Sequence, residues 1–227
     1  MDAMDWLRSL PSEHADTVCT DPPYGIDFRA FGAEGVNDPN PRFAKIANDD
    51  CPFVWWLREA WRTTRPGGCL ICFAGWQTSD TFRTAITWAG WKLRSMVIWD
   101  KERPGLGDFN QDFAPQHEII WFASKGRFKF QRPAGRLERP RSVIRCKAPH
   151  GPARTHPTEK PVELLRQLIR TTTPPDGLVI DPFSGTGSTA VAATLEARRF
   201  AGSELSEAYA TTARSRLRAL TRPTPPP

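Results

Sequence analysis

The sequence predicts an α/β fold in which helices cover both faces of one β-sheet. Short apolar runs typical of strands alternate with segments of helical periodicity along most of the 227 residues. A buried strand delivers Asp21 near the start of the chain, and a strand-turn-helix unit surrounds Asp181 near its end. A chain of this length can bury a substantial core, so we expect a single domain over residues 1–227.

The first elements lead to a long loop. A short helix, Asp5 to Leu10, ends at Pro11, and the apolar run Ala15 to Thr20 reads as a buried strand. Residues 25–50 are rich in Gly, Pro and Asn, and a loop this long in a compact domain is usually functional. We interpret it as a flap over a substrate. An aromatic helix, Phe53 to Thr64, follows, and we expect its three tryptophans to pack in the core.

The later elements continue the alternation. The predicted strands are Cys69 to Ala74, Leu93 to Trp99, Glu118 to Ala123, Leu178 to Asp181 and Arg199 to Ser203. The predicted helices are Ser79 to Ala89, Val162 to Thr171, Ala190 to Ala197 and Glu207 to Leu220. Proline dominates residues 221–227, so we expect a disordered tail there.

Positive charge is concentrated in one segment. The whole chain carries a net charge of +6, whereas residues 125–154 hold ten basic residues and one acidic residue and carry +9. The remainder therefore carries −3. A single basic block on an otherwise acidic protein is typical of a polyanion partner, and the alternative is a solvated loop. We interpret 125–154 as a small basic insert that recognises that partner.

Composition excludes several other classes. No apolar run approaches the roughly 18 residues that span a bilayer, and the first five residues are acidic, unlike a signal peptide, so we expect a cytoplasmic protein. Cys69 and Cys72 form a C-x-x-C pattern, but they lie in a predicted strand, where positions three apart point to opposite faces. That geometry suits neither a zinc site nor a redox pair. His117 and Glu118 begin an H-E-x-x-H pattern, but position 121 is Trp. We expect no metal site.

The stretch Thr20 to Tyr24 has the features of a site that binds an amino group. Each proline fixes its own φ and restricts the residue before it, so the chain leaves the strand in one direction. The Asp21 carboxylate and the Pro22 carbonyl could accept both hydrogens of an exocyclic amine on a base, with Tyr24 stacked on the ring. The simpler interpretation is a strand that ends in a Pro-Pro turn.

The unit around Asp181 has the geometry of a dinucleotide-type ligand loop. Phe183-x-Gly185-x-Gly187 follows a strand and opens a helix, and Glu204 ends the next strand, where it would accept hydrogen bonds from both ribose hydroxyls. Position 190 is Ala, so G-x-G-x-x-G is only partly matched, and no Gly-Lys-Ser/Thr follows. A carboxylate near the turn repels phosphate but suits the cationic amino-acid end of S-adenosylmethionine.

Together these motifs resemble the amino-methylating DNA methyltransferases, of the N6-adenine and N4-cytosine type, in their permuted β-class order. The resemblance runs from Asp2 to Leu217. Thr20 to Tyr24 is similar to the catalytic motif and Asp181 to Thr189 to the methyl-donor loop. His117 to Gly126 resembles the strand before the recognition region, and His156 to Leu165 the helix before the donor loop.

The resemblance implies a circularly permuted, Rossmann-like, seven-stranded S-adenosylmethionine-dependent methyltransferase sheet. Family members usually carry a strand before the position of Asp2, so an edge strand is expected to be missing or replaced. The implied catalytic residues are Asp21, Pro22, Pro23 and Tyr24. The implied cofactor-binding residues are Asp2, Asp21, Thr158, Lys160, Asp181, Phe183, Gly185, Thr186, Gly187, Ser188, Thr189 and Glu204. The expected DNA-binding residues are Arg29, Arg42, Lys45, Arg127, Arg132, Arg136, Arg139, Arg141 and Arg145.

The expected activity is methylation of adenine N6 in DNA, by direct in-line attack of a flipped base on S-adenosylmethionine. Adenine is preferred because cytosine N4 members of the family more often carry Ser at the position of Asp21. The alternatives are an N4-cytosine enzyme, a glutamine or RNA methyltransferase, and a non-catalytic DNA-binding protein. We expect a solitary bacterial or phage enzyme, related to the methylases of restriction-modification systems, with DNA as partner, no membrane partner and a possible homodimer.

Overall fold

The computed structural model describes residues 1–26, 49–105, 113–132, 139–148 and 159–221. Most of the predicted flap lies outside these ranges, as do five of the expected site residues and the tail 222–227. The site residues outside the described ranges are Arg29, Arg42, Lys45, Arg136 and Thr158.

One mixed sheet organises the described part of the chain. Its seven strands are β1 (Ala15–Thr20), β2 (Thr64–Ala74), β3 (Lys92–Asp100), β4 (His117–Ser124), β5 (Val143–Arg145), β6 (Leu178–Asp181) and β7 (Arg199–Gly202). Their spatial order is β5-β3-β4-β2-β1-β6-β7. Strand β4 runs antiparallel to both of its neighbours, and the other neighbouring pairs are parallel.

Helices pack on both faces of this sheet. They are α1 (Ala3–Ser9), α2 (Trp56–Thr63), α3 (Ser79–Trp88), α4 (Val162–Thr172), α5 (Ser188–Leu195) and α6 (Glu207–Thr221), with a 3₁₀ turn at Trp76–Thr78. Residues of α1, α2 and α3 share one core cluster with β2, and residues of α4 and α5 share a second. The predicted α/β class is confirmed.

Strand β2 shows how the two cores divide. Cys72 belongs to the cluster under α2 and α3, whereas Cys69 belongs to the cluster under α4, because residues three apart on a strand face opposite ways. Both thiols are free and fully buried. The prediction that they face opposite sides of the sheet is confirmed.

Several element boundaries differ from the prediction. The aromatic helix begins at Trp56 rather than Phe53, and Trp55 is 72% exposed instead of packing in the core. Strand β2 begins at Thr64, five residues before the predicted start at Cys69, and includes Pro66 to Gly68. A Cβ at Gly68 would lie 2.6 Å from the Asp16 carbonyl, so the missing side chain lets β2 continue close to β1.

The two sheet edges also differ from the expectation. Strand β5 was not predicted, because its three residues lie within the basic insert and alternate too briefly to give a strand signal. At the other edge, β7 is the last strand among the described residues. The count of seven is reached through β5. Within the described ranges, no helix has the length and apolarity needed to cross a membrane.

Candidate active site

The sheet brings the two sequence motifs together. Strands β1 and β6 are parallel neighbours, with Val18 opposite Ile180, so Asp21 and Asp181 emerge at the same edge. The Thr20 hydroxyl donates a hydrogen bond to Asp181 Oδ1 at 2.6 Å. The catalytic turn, Asp21 to Tyr24, and the donor loop, Asp181 to Thr189, therefore form neighbouring walls of one cavity.

That cavity has a volume of about 1250 Å³ and contains most of the predicted site. The predicted residues that line it are Asp2, Asp21, Pro22, Pro23, Tyr24, Lys160, Asp181, Phe183, Gly185, Thr186, Ser188, Thr189 and Glu204. Gly187 does not line it. This glycine has φ +85°, and a Cβ there would lie 2.8 Å from Ala213 Cβ, so it serves the turn into α5 and close packing on α6.

The Asp21 carboxylate is held by two side chains in this cavity. Tyr24 donates its hydroxyl to Oδ1 at 2.5 Å, and Lys160 donates its ammonium to Oδ2 at 2.6 Å. Burial raises the pKa of Asp21, and repulsion from Glu118 adds to this effect, although attraction to Lys160 opposes it. The turn thus presents an oriented carboxylate whose basicity is enhanced.

Tyr24 is fixed by the segment that follows β2. The Thr78 hydroxyl donates to the Tyr24 carbonyl at 2.8 Å, and a Cβ at Gly75 would lie 3.1 Å from the Tyr24 ring. Phe82 meets the same ring edge to face, with the ring centroids 6.5 Å apart. Burial raises the pKa of Tyr24 well above its ordinary value, so the phenol stays protonated and remains a donor to Asp21.

Sequence reasoning missed two charged residues beside Asp21. Glu118 Oε2 lies 3.2 Å from Lys160 Nζ, and Glu118 Oε1 lies 2.7 Å from Lys101 Nζ. Burial raises the pKa of Glu118, but its attraction to Lys160 and Lys101 outweighs this, and the pKa is lowered. The sequence analysis considered Glu118 only as part of the metal-binding pattern H-E-x-x-H, which this chain does not complete. The sequence feature that could have identified Glu118 as a site residue was an acidic side chain at the start of an otherwise apolar strand.

The donor loop is organised by carboxylates. Asp181 Oδ1 also accepts the Phe183 amide at 3.0 Å, and burial raises the pKa of Asp181 to about 6. The two oxygens of Glu204 accept the amides of Gly185 and Ser206, each at 2.8 Å. The Glu204 carboxylate therefore ties the glycine turn to the end of β7 while it lines the cavity.

Two aromatic residues fix the position of the Phe183 ring. The Phe183 ring meets Phe53 and Trp56 edge to face, with centroids 6.0 and 5.5 Å apart.

Asp2 caps α1 by accepting the Met4 amide at 2.8 Å. Because Asp2 also lines the cavity, the resemblance-based placement of this carboxylate near the cofactor is compatible with its capping role.

Arg216 of α6 was also missed. Its guanidinium donates to the Thr186 carbonyl at 3.0 Å and lies 3.0 Å from Glu159 Oε1. Arg216 thereby joins the donor loop to the residue before Lys160. The helix sequence around it gives no signal for this role, since α6 contains three arginines within 15 residues.

The expected DNA-binding arginines that fall within the described ranges do not line the cavity. Aromatic packing anchors their segment, because Phe130 stacks on Phe122 of β4 with centroids 5.4 Å apart. Farther along, β5 pairs with β3, and Arg145 lies 3.5 Å from Asp100. The predicted residues of this set that lie on the described surface, all of them exposed, are Arg127, Arg132, Arg139, Arg141 and Arg145.

Comparisons with known proteins show the family of this chain. The model of a family described as DNA methylase, of the N6/N4 type, matches residues 15–215. "Putative methylase YubD" of Escherichia coli (strain K12) is 32% identical over 97% of this chain and 89% of its own length. The type II methyltransferase M.HinfI of Haemophilus influenzae is 27% identical over 96% of this chain and 67% of its own.

Solved structures give the same fold at low identity. The complex of M1.HpyAVI with SAM has a TM-score of 0.72 at 24% identity and covers 96% of both chains. The cytosine-N4-specific PvuII DNA methyltransferase has a TM-score of 0.74 at 18% identity, covering 95% of this chain and 84% of its own. The family match spans the catalytic turn and the donor loop alike, and the chain therefore belongs to the S-adenosylmethionine-dependent N6/N4 DNA methyltransferases.

Proposed function

We propose that this enzyme methylates the exocyclic N6 of adenine in DNA. The main observation behind the proposal is the carboxylate at position 21. Tyr24 and Lys160 orient it in the cavity that the donor loop also lines. An amine donor is complementary to this carboxylate. Cytosine N4 members of the family more often have Ser at this position, which favours adenine.

The chain's own residues would act by positioning and by electrostatics. Asp21 and the Pro22 carbonyl would accept the two amine hydrogens and so fix the direction of the nitrogen lone pair. S-adenosylmethionine, when bound, supplies a methyl group on a sulfonium sulfur. As positive charge develops on the base nitrogen, the Asp21 carboxylate stabilises it. No side chain has to form a covalent bond.

The cavity fits the cofactor in its shape and in its donor set. Gly185 has φ +50°, and a Cβ there would meet nothing within 4 Å, so the turn leaves open space on its outer side. Glu204 and Asp2 supply half-buried carboxylates on the donor side of the cavity. We propose that Glu204 holds the ribose hydroxyls and that the loop Asp181 to Thr189 surrounds the methionine part.

Arg216 gives a test of the donor loop that leaves the catalytic turn intact. Replacing Arg216 with glutamine removes the guanidinium that holds Thr186 and Glu159. We expect S-adenosylmethionine to bind about three- to tenfold more weakly by calorimetry, because roughly one or two part-buried hydrogen bonds are lost.

The matched control is Arg214→Gln, on the same helix. Arg214 is 58% exposed and pairs with Glu207 outside the cavity, so its loss is expected to leave binding unchanged. Equal dissociation constants for Arg216→Gln and the wild-type enzyme would show that the loop holds its shape without Arg216.

The target amine lies inside a duplex, so we propose that the base is flipped into the cavity. The exposed arginines beside β5 and after β4 would contact the phosphate backbone of that DNA. Phosphate contacts fix the position of a protein on DNA without specifying the sequence. The arrangement supports DNA rather than a free nucleoside as the substrate.

Product analysis tests the proposed activity. The purified enzyme is incubated with labelled S-adenosylmethionine and DNA from a methylation-free host, and the DNA is digested to nucleosides. We expect label in N6-methyldeoxyadenosine, with none when DNA is omitted. Label in N4-methyldeoxycytidine instead would overturn the choice of adenine.

A further inference from the structure

We propose that Glu118 is a positioning residue for methyl transfer, which holds Lys160 on Asp21 and supplies a second negative charge beside the reacting amine. This inference rests on the proposed role of Asp21 as the carboxylate that faces the amine. Glu118 does not itself have to touch the substrate, since it acts through Lys160 and Tyr24.

The geometry is a row of alternating charges that starts at the catalytic turn. Asp21 Oδ2 lies 2.6 Å from Lys160 Nζ, which lies 3.2 Å from Glu118 Oε2. Glu118 Oε1 then lies 2.7 Å from Lys101 Nζ. The Tyr24 hydroxyl, which donates to Asp21, lies 3.4 Å from Glu118 Oε2. Glu118 thus contacts both groups that hold Asp21.

The Lys160 ammonium, which lies between Asp21 and Glu118, is buried against two aromatic rings. The Lys160 side chain is 5% exposed, and its Nζ lies 5.5 Å from the centre of the Tyr24 ring and 5.2 Å from that of Phe73. Attraction to Asp21 and Glu118 outweighs the burial of Lys160 and raises its pKa. A charged Lys160 is therefore a fixed part of the site across the neutral pH range.

A fixed ammonium creates a problem for catalysis that Glu118 can solve. Methyl transfer moves positive charge onto the base nitrogen, and a carboxylate stabilises that charge. Lys160 alone would cancel the charge of Asp21 and remove much of this stabilisation. With Glu118 ionised, the group of Asp21, Lys160 and Glu118 keeps a net negative charge next to the amine. Lys101, on the far side of Glu118, lowers the cost of burying that charge.

Replacing Glu118 with glutamine keeps the shape of the side chain and removes its charge. We expect kcat to fall by about tenfold or more, while the dissociation constant of S-adenosylmethionine and the thermal unfolding temperature change little. Glu118→Asp retains the charge and is expected to recover part of the lost kcat. The comparison separates charge from packing.

The pH dependence gives a readout that a purely structural role would not move. The groups that face Asp21 are Lys160, Tyr24, Glu118, Cys72 of β2, Cys19 of β1 and Asp181 of β6. Since the charge on Glu118 raises the pKa of Asp21, its removal must lower that pKa. The acid limb of kcat is therefore expected to move to lower pH in Glu118→Gln.

The same shift can be measured without turnover. The Asp21 carboxyl carbon is labelled with ¹³C, assigned by its loss in Asp21→Asn, and titrated by NMR in the enzyme without DNA. We expect its midpoint to fall in Glu118→Gln. This measurement stands even if the methylated base is cytosine, which would overturn only the proposed substrate.

Glu163→Gln is the matched control. Glu163 lies three residues after Lys160, is 53% exposed and pairs with Arg166 at 3.1 Å, so kcat and the Asp21 titration should stay as in the wild-type enzyme. The inference is overturned if Glu118→Gln retains wild-type kcat. It is also overturned if kcat falls while both the acid limb and the Asp21 midpoint stay unchanged.

Discussion

Asp21→Ala is expected to abolish methyl transfer and to leave S-adenosylmethionine binding within a few-fold of wild type. In the proposed site the side chain faces the substrate amine, whereas the cofactor is held mainly by the donor loop. Loss of one preorganised electrostatic group at a reacting centre typically costs about 10² to 10³ in kcat. The measurements are single-turnover transfer of labelled methyl groups and calorimetric titration of the cofactor.

Two further variants make the result specific. Asp21→Asn keeps the size of the side chain and should lose transfer as well, because a neutral amide cannot stabilise positive charge on the nitrogen. Asp80→Ala, on α3, removes a carboxylate that is 96% exposed and should behave as wild type. If cofactor affinity disappeared together with activity, Asp21 would have to be assigned to the cofactor instead of the amine.

Glu204→Ala is expected to weaken S-adenosylmethionine binding more than any single substitution within the donor loop. If Glu204 accepts both ribose hydroxyls, each hydrogen bond to the charged acceptor is worth roughly 1.5 to 3 kcal/mol. Glu204 also holds the amides of Gly185 and Ser206, so part of the loss could come from a looser turn.

A ribose-modified ligand separates these two contributions. S-adenosylhomocysteine and its 2′-deoxy form are titrated against the wild-type enzyme and Glu204→Ala. The wild-type enzyme should prefer the intact ribose strongly, and Glu204→Ala should lose most of that preference. A preference of equal size in both proteins would remove Glu204 from the ribose site. Glu207→Ala, three residues later and 79% exposed, is the control for charge alone.

The fold class was predictable because the strong signals came from the centre of the sheet. Strand β1 is buried at all six positions and β6 at all four, and each contains three apolar residues that contribute to the strand signal. Strand β5 is short and lies at an edge among basic residues, where neither length nor apolarity gives a signal. Edges and element ends were therefore the places where prediction failed.

The site was predictable to the extent that it is built from local motifs. Asp21 directly follows β1 and Glu204 lies two residues beyond β7, so both could be placed from neighbouring residues. Lys160 was expected among the cofactor-binding residues, and the structure pairs it with Asp21 and Glu118. The contacts of Glu118 and Arg216 join residues that are distant in the chain, which no spacing rule anticipates.

The adjacency of β1 and β6 has a consequence for how the enzyme folds. The hydrogen bond between Thr20 and Asp181 joins residues 161 apart in the chain, and β1 lies in the sheet between β2 and β6. Closing so long a loop is entropically costly before the contact forms, and pairings of high sequence separation slow folding. During synthesis, β1 must wait for the last third of the chain before its second edge is covered. The cavity wall that contains Asp21 and Asp181 therefore forms only after β6 has paired with β1.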